Sequence, residues 1–414
     1  MLIFLVHRSN YYKFLGPLLE DAIARDLPVE IWIWNDARGK EYLDPSVKPE
    51  SLNSIRSRKF DTLEALSSAL ATSDAKAIFS LHTREKYKLI STRPTFVTLQ
   101  HGIDSFIETD LAGLCNTDYL CLYSSFWIEW GAKYFHAKYG VSEKTAYEQL
   151  SQKAIDIGFP QLDGMGEIDP VAIRTKYGVD KDARVVLYLP ITLGNINGSW
   201  PRFFEGTDLL GRIKTFWQAV RKDKVFFGQY LPWLLHGWSD KKLTQALKAF
   251  AHNNGAVLIA KARKKDPLRP WLKEAADLAI YDEADYPSTT LELMSIADVC
   301  IHFYSFAALE SAYCGVFGVT VDRPSPAADV GQKPPPHHVL WRRAETGTAF
   351  NFPKVNAWMT IPEVIRELPG AAIDNFRVDA EARETYIQTY LGASDGMASR
   401  RILDLVSNEA KLRI

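Results

Sequence analysis

The residues best suited to chemistry lie in four short stretches. In LQHGIDSF (99–106) an apolar run ends at Gln100-His101-Gly102. An imidazole with an unperturbed pKa of about 6.5 can take a proton from a hydroxyl at neutral pH. Gly102 can adopt a positive φ or let a substrate approach the backbone. The plain alternative is a loop histidine held by hydrogen bonds. In IAKARKKDP (259–267) Lys261 and Arg263 alternate with Ala262, so a continuing strand would put both cations on one face. Such a pair suits phosphate oxygens, with Arg263 able to bind two at once. Most charge runs are solvated turns, and Lys264 and Lys265 are assigned to that role.

The third stretch is ADVCIHFYSFAALESAYCG (297–315). A buried strand runs into Phe303-Tyr304-Ser305, and a helix begins at Phe306. Ser305 is a natural N-cap, and the free amides behind it form an anion site. Glu310, up to two turns into that helix, either bonds ribose hydroxyls or faces solvent. The fourth is LYLPITLGN (187–195), where a strand ends at Pro190 and Thr192, Gly194 and Asn195 supply a polar turn.

Several familiar chemistries are missing. No GxGxxG, Walker GxxxxGK[ST], GxSxG, HExxH or zinc-finger spacing occurs, and His337-His338 are neighbours that point apart. No metal or cofactor is expected.

The elements that must carry these residues alternate along the chain. Apolar runs at 2–6, 29–34, 77–81, 95–99, 119–123 and 154–157 read as strands, with helices predicted at 12–25 and 62–71. GFPQLDGMGEIDP (158–170) breaks that rhythm with Pro, Gly and acids, as a linker does. A second series follows at 184–189, 256–260, 278–281, 297–303 and 315–321, with helices at 242–253 and 291–296. Helical patterns at 379–391 and 398–410 close the chain. Two such series predict an α/β protein with two Rossmann-like domains, their parallel sheets facing each other across a cleft. The expected division is 1–165, 166–378, and 379–414 as C-terminal helices that could cross back to the first domain.

Bulk properties agree. The 414 residues exceed one compact core, and 49 Lys plus Arg balance 50 Asp plus Glu, which argues against nucleic-acid binding by bulk charge. Four cysteines without CxxC spacing read as buried thiols in a reducing compartment. The start MLIFLVHRSNYY reads as a strand rather than a signal peptide, and no apolar run reaches the ~18 residues that span a bilayer. Aromatic residues crowd 195–240, either as a packed helical insertion or as an acceptor or membrane-surface platform. The Pro-rich stretch 322–338 is expected to be a loop at a strand's carboxyl end.

The order of these pieces resembles a known architecture. A strand-end HG, then IGFPQLD, then LYLPITLG, a basic strand end and DVCIHFYSFAALE look like a GT-B glycosyltransferase. Within it the chain is similar to the CDP-glycerol glycerophosphotransferase group, which builds teichoic acids and capsule polymers. The resemblance implies that His101 is the base on an acceptor hydroxyl. It implies that Tyr304, Ser305 and the amide of Phe306 hold the donor's phosphates, and that Pro190-Ile191-Thr192 lines the donor cleft. The chain departs from the family in having Lys261-Ala-Arg263 where His-Pro is usual, and Phe303-Tyr304-Ser305-Phe306 where Asp-Tyr-Ser-Ser is frequent. CMP- and UDP-sugar donors therefore stay open.

The expectation is a transferase using a nucleotide-activated donor and a hydroxyl of a cell-surface glycan or polymer. His101 is the base, with Gly102 and Asp104 on the acceptor side. Lys261, Arg263, Tyr304, Ser305, Phe306, Glu310, Pro190, Thr192 and Gly194 serve the donor. The expected location is the cytoplasm, with peripheral contact to the inner face of the membrane. The rivals are a nucleotide-sugar epimerase of the same architecture and a non-catalytic two-lobed binding protein.

Overall fold

A computed structural model describes residues 1–35, 43–90, 93–103, 109–191, 209–222, 234, 239–264, 267–283, 286–322 and 342–412. The chain forms two compact units. Unit 1 is Met1–Ile168 with Ala284–Leu291 and Thr385–Ile414, and unit 2 is Asp169–Glu283 with Glu292–Glu384.

Unit 1 is built on a seven-stranded parallel sheet in the order β3-β2-β1-β4-β5-β6-β7. Its strands are β1 (Leu2–Val6), β2 (Val29–Ile33), β3 (Ser57–Lys59), β4 (Ala77–Ser80), β5 (Thr95–Leu99), β6 (Tyr119–Leu122) and β7 (Ala154–Asp156). β1, β4 and β5 are buried along their whole length, which is why they read as mostly apolar runs, with small Ser and Thr the polar residues among them, rather than as strict alternation. Helices α1 (Tyr12–Ala24), α2 (Leu63–Ala71), α3 (Leu111–Cys115), α4 (Phe126–Tyr139) and α5 (Glu143–Ser151) make the connections. Their starts are local chemistry. Thr62 caps α2 through the Ala65 amide, Asp110 caps α3 through Gly113, and Ser142 caps α5 through Thr145.

Unit 2 repeats the plan with six parallel strands in the order β10-β9-β8-β11-β12-β13. They are β8 (Arg184–Leu189), β9 (Ala256–Arg263), β10 (Leu278–Asp282), β11 (Val299–Phe303), β12 (Phe317–Asp322) and β13 (Asn356–Thr360). Its helices are α6 (Pro170–Tyr177), α7 (Leu209–Lys222), α8 (Asp240–Asn253), α9 (Pro270–Ala275), α10 (Thr289–Met294, shared with the end of the unit 1 insertion), α11 (Ala307–Tyr313) and α12 (Ile361–Glu367). The core joins Val186, Tyr188, Leu258, Ile301 and Val319 from the sheet to Leu243, Leu247 and Phe250 of α8. The chain ends in α13 (Ala380–Tyr390) and α14 (Ala398–Leu412).

Sequence periodicity finds nearly every central strand to within two residues. β3 and β13 escape it, being a polar three-residue edge (SRK) and a half-buried edge (NAWMT). The segment expected as a plain linker contains a 3-10 helix, Pro160–Glu167. Of the aromatic block, only 209–222, 234 and 239–240 are among the described residues, and residues 323–338 of the Pro-rich stretch lie outside them.

Candidate functional site

In an open parallel sheet, ligands settle beyond the carboxyl ends of the strands, where the strand order reverses. In unit 1 that reversal falls between β1 and β4. His7 directly follows β1, His82 stands two residues beyond β4, and His101 two beyond β5. The sheet therefore gathers three histidines at one edge.

Their rings touch in a row. His7 stacks on His82 with centroids 5.7 Å apart, and His82 meets His101 edge-on at 5.2 Å. Tyr11, from the one-turn helix Ser9–Tyr11, places its hydroxyl 2.8 Å from His82 Nε2. Phe14 packs at 6.3 Å from the His101 ring. Behind them runs a buried chain of hydrogen bonds. The His82 amide donates to Ser80 Oγ at 2.9 Å, Ser80 Oγ lies 2.6 Å from Tyr87 Oη, and Tyr87 Oη lies 3.1 Å from His7 Nε2. His7 has no exposed surface. Burial first, then the positive character of His82, Lys86 and Arg8, holds its pKa well below the usual imidazole value. His7 is thus a neutral, structural ring, whereas His82 and His101 line open space.

That space is a cavity of about 500 Å³, bordered by His82, Lys86, Gln100, His101, Thr109 and Tyr139 among others. Its size suits a small organic group. Gln100, almost fully buried, fixes the turn that carries His101. Its Nε2 donates to the Gly102 carbonyl at 3.1 Å, and its Oε1 accepts the Tyr123 amide at 3.0 Å. Two carboxylates also border the cavity, and both are engaged. Glu85 accepts the Thr109 hydroxyl, and Asp110 accepts the Gly113 amide at 2.8 Å. Asp104 lies outside the described residues.

In unit 2 the strand order reverses between β8 and β11. Pro190 ends β8 there, and Tyr304-Ser305 follows β11. The Ile191 carbonyl accepts from Arg269 at 3.1 Å, and Arg269 is paired with the buried Asp240 at 2.7 Å. The Tyr304 ring lies under the Arg343 guanidinium at 4.3 Å, while Arg343 is ion-paired with the fully buried Asp322. Thr192 and Gly194 lie outside the described residues.

Three expectations about unit 2 need correcting. The cap position of α11 is Phe306 rather than Ser305. Ser305 Oγ accepts the Ala307 amide at 3.3 Å from one residue further back. Glu310 does not face solvent; it is 1% exposed and sits beside His302, Cys300 and Cys314. Lys261 and Arg263 do share a face of β9, but they are not an open cationic cradle. Lys261 Nζ lies 3.2 Å from Asp282, and Arg263 Nε donates to Glu283 at 2.7 Å. The register that sets Asp282 opposite Arg263 supplies these partners.

His7 and His82 were not singled out from sequence. The available signal was position alone, since each stands within two residues of a predicted strand end. Among the described residues no group of three His, Cys, Asp or Glu side chains is arranged to hold a metal ion, and no helix is long and apolar enough to cross a membrane.

Two Rossmann-like parallel sheets, each with its crossovers and its reversal point, define the GT-B architecture, and this chain has it. No protein-family model and no curated protein matches the sequence. Solved structures do resemble the fold. The wall teichoic acid polymerase TagF is similar over 100% of this chain and 90% of its own, at 14% identity and a TM-score of 0.57. S. aureus MnaA, solved with UDP, is similar over 99% and 97%, at 10% identity and 0.51. Arabidopsis thaliana UGT89C1, complexed with UDP-L-rhamnose, is similar over 98% and 98%, at 11% identity and 0.50.

Proposed function

We propose that this chain is a transferase that moves a glycosyl or glycerol-phosphate-type group from a nucleotide-activated donor to a hydroxyl of a cell-surface glycan or polymer. The observation that carries the proposal is His101, held by Gln100 at a strand's carboxyl end and lining a cavity of about 500 Å³. His101 takes the proton of the acceptor hydroxyl as its oxygen attacks the donor. The bond to the nucleotide's phosphate breaks, and the nucleotide leaves with the electron pair. With Lys261 and Arg263 already paired to carboxylates, the donor falls mainly to the turns Pro190-Ile191 and Tyr304-Ser305. Structural neighbours seen with UDP or a UDP-sugar support a nucleotide donor, and likeness to a wall teichoic acid polymerase supports a polymer acceptor.

The epimerase alternative has one observation in its favour, the carboxylates of Glu85 and Asp110 in the same cavity as His101. Proton shuttling at carbon needs such groups free to exchange protons. Both are tied here to Thr109 and Gly113, which favours the transferase.

A cytoplasmic site with peripheral membrane contact belongs to the same proposal. All four cysteines are free thiols. Helix α7 exposes Leu209, Leu210, Ile213 and Trp217 beside Arg212, Lys214 and Arg221, with no acidic residue between 209 and 222.

The test is transfer from CDP-, CMP-, UDP- and GDP-linked donors, ranked first by the rise in melting temperature that each nucleotide causes. General-base help is typically worth ~10²–10⁴-fold, so His101→Ala should lose that much turnover while the nucleotide-induced stabilisation persists. An unchanged rate would remove the base assignment. A product formed from donor alone would favour the epimerase.

A further inference from the structure

We propose that His82 is a positioning residue for His101: pinned by Tyr11, its ring stands edge-on against the His101 ring, fixes its orientation at the cavity and opposes its protonation. The inference rests on His101 being the base and adds a second histidine to that site.

The geometry has three parts. His82 is fixed at both ends, its ring by Tyr11 Oη at 2.8 Å from Nε2 and its backbone by Ser80 Oγ at 2.9 Å. It meets His101 at 5.2 Å with the planes 71° apart, the edge-to-face arrangement that aromatic rings favour. Both rings line the same cavity, so neither is buried packing alone.

Charge then decides what the pair can do. Two imidazolium ions at this spacing repel, so protonating one ring makes protonating the other harder. Charged and titratable groups of both signs face the pair from several elements. From the end of β1 come His7 and Arg8, and from the 3-10 turn Arg84–Tyr87 come Lys86, Glu85 and Tyr87. Tyr11 faces His82 from the first 3-10 turn, Asp110 borders the cavity from the start of α3, and Tyr139 from the end of α4. Of the carboxylates, Glu85 is drawn onto Thr109 and Asp110 onto the Gly113 amide. Lys86 and Arg8 act on His7 in the same sense as His82 does. A neutral imidazole is the form that accepts a proton.

The test is a site-resolved titration of the full-length protein carrying ring-labelled histidine, followed by NMR, with the His101 signal identified by its loss in His101→Gln. Removing a like-charged neighbour should raise the His101 midpoint by roughly half to one pH unit in His82→Asn. If His82→Asn does not fold, His82→Gln replaces it; it offers Tyr11 a hydrogen-bonding partner without a titrating ring and should give the same shift. An unmoved midpoint in the folded variant overturns the proposal. The pH profile of kcat/KM is the second readout. Its lower limb should move with the His101 midpoint. A shifted midpoint beside an unshifted limb would uphold the coupling and remove His101 as the base, so the two ideas fail separately.

Discussion

Arg269 joins three parts of unit 2 through one guanidinium. It pairs with Asp240 at 2.7 Å and donates to the Ile191 carbonyl at 3.1 Å, while Trp271 Nε1 donates to the same Asp240 oxygen at 2.8 Å. Asp240 is 1% exposed, and burial raises its pKa against the pull of Arg269. Removing the cation would leave a buried carboxylate facing the Trp271 indole N–H and the Tyr188 hydroxyl without its ion-pair partner, a loss that typically costs ~3 kcal/mol or more. Arg269→Ala should therefore lower stability by about that amount in denaturant unfolding, and Asp240→Asn in the same chain should restore part of it. No recovery in the double variant would mean that the ion pair is not the source. The residues differ in how far sequence exposed them. His101 was legible because a strand end followed by Gly is a local pattern. His82 was not, because its neighbours His7, Tyr11 and His101 come from other strands and turns. The cations of β9 were legible, but their partners, about twenty residues further on, become neighbours only through the β9–β10 register.

At the scale of elements, the segment GFPQLD does more than link. Gly158 has φ +85°, and a Cβ there would lie 2.7 Å from the Ala393 carbonyl oxygen. Gly392 answers it with φ +70° and a Cβ position 2.3 Å from the Tyr123 carbonyl oxygen. Four residues past Phe159, Asp163 accepts the Ala398 amide at 3.1 Å and the Ser399 amide at 2.6 Å, capping α14 from a distant point in sequence. Each approach is open only because the glycine brings no Cβ to the neighbouring carbonyl. Gly158→Ala adds a left-handed conformation costing ~1–2 kcal/mol to a backbone clash that needs local movement. We expect a lower thermal midpoint and earlier protease cleavage within α14; an unchanged midpoint and cleavage pattern would show that the strand-end turn relaxes freely. The elements themselves were legible where burial made long apolar runs, as in β1, β5 and β8. They were not where an edge strand is short and polar, as in β3, since little side-chain burial marks it. The junction's capping role was hidden because its partner lies more than 230 residues away.

At the scale of the whole molecule, the two alternating series were legible as two sheets, whereas strand order, and hence the two reversal points, is set by packing that no local pattern records. Each unit also encloses a histidine that folding keeps neutral. In unit 2 it is His302, which has no exposed surface and whose Nδ1 lies 2.8 Å from the Phe303 carbonyl oxygen, so that nitrogen carries the proton. Burial lowers its pKa to about 4, against the smaller raising effects of that hydrogen bond and of Glu310. His7 plays the same part in unit 1. When the folded-state pKa of a histidine is depressed, the unfolded chain takes up a proton that the fold refuses. The penalty is absent above the unfolded value of about 6.5, grows as pH falls, and is complete near 4. For His302 the gap of roughly 2.5 units corresponds to ~3 kcal/mol. Stability measured by denaturant at fixed steps from pH 7 to pH 4.5 should therefore fall steadily. His302→Gln, whatever its stability at pH 7, should show a shallower fall, because Gln does not titrate in that window. Parallel slopes for the two proteins would mean that His302 is not the group that makes unit 2 acid-sensitive.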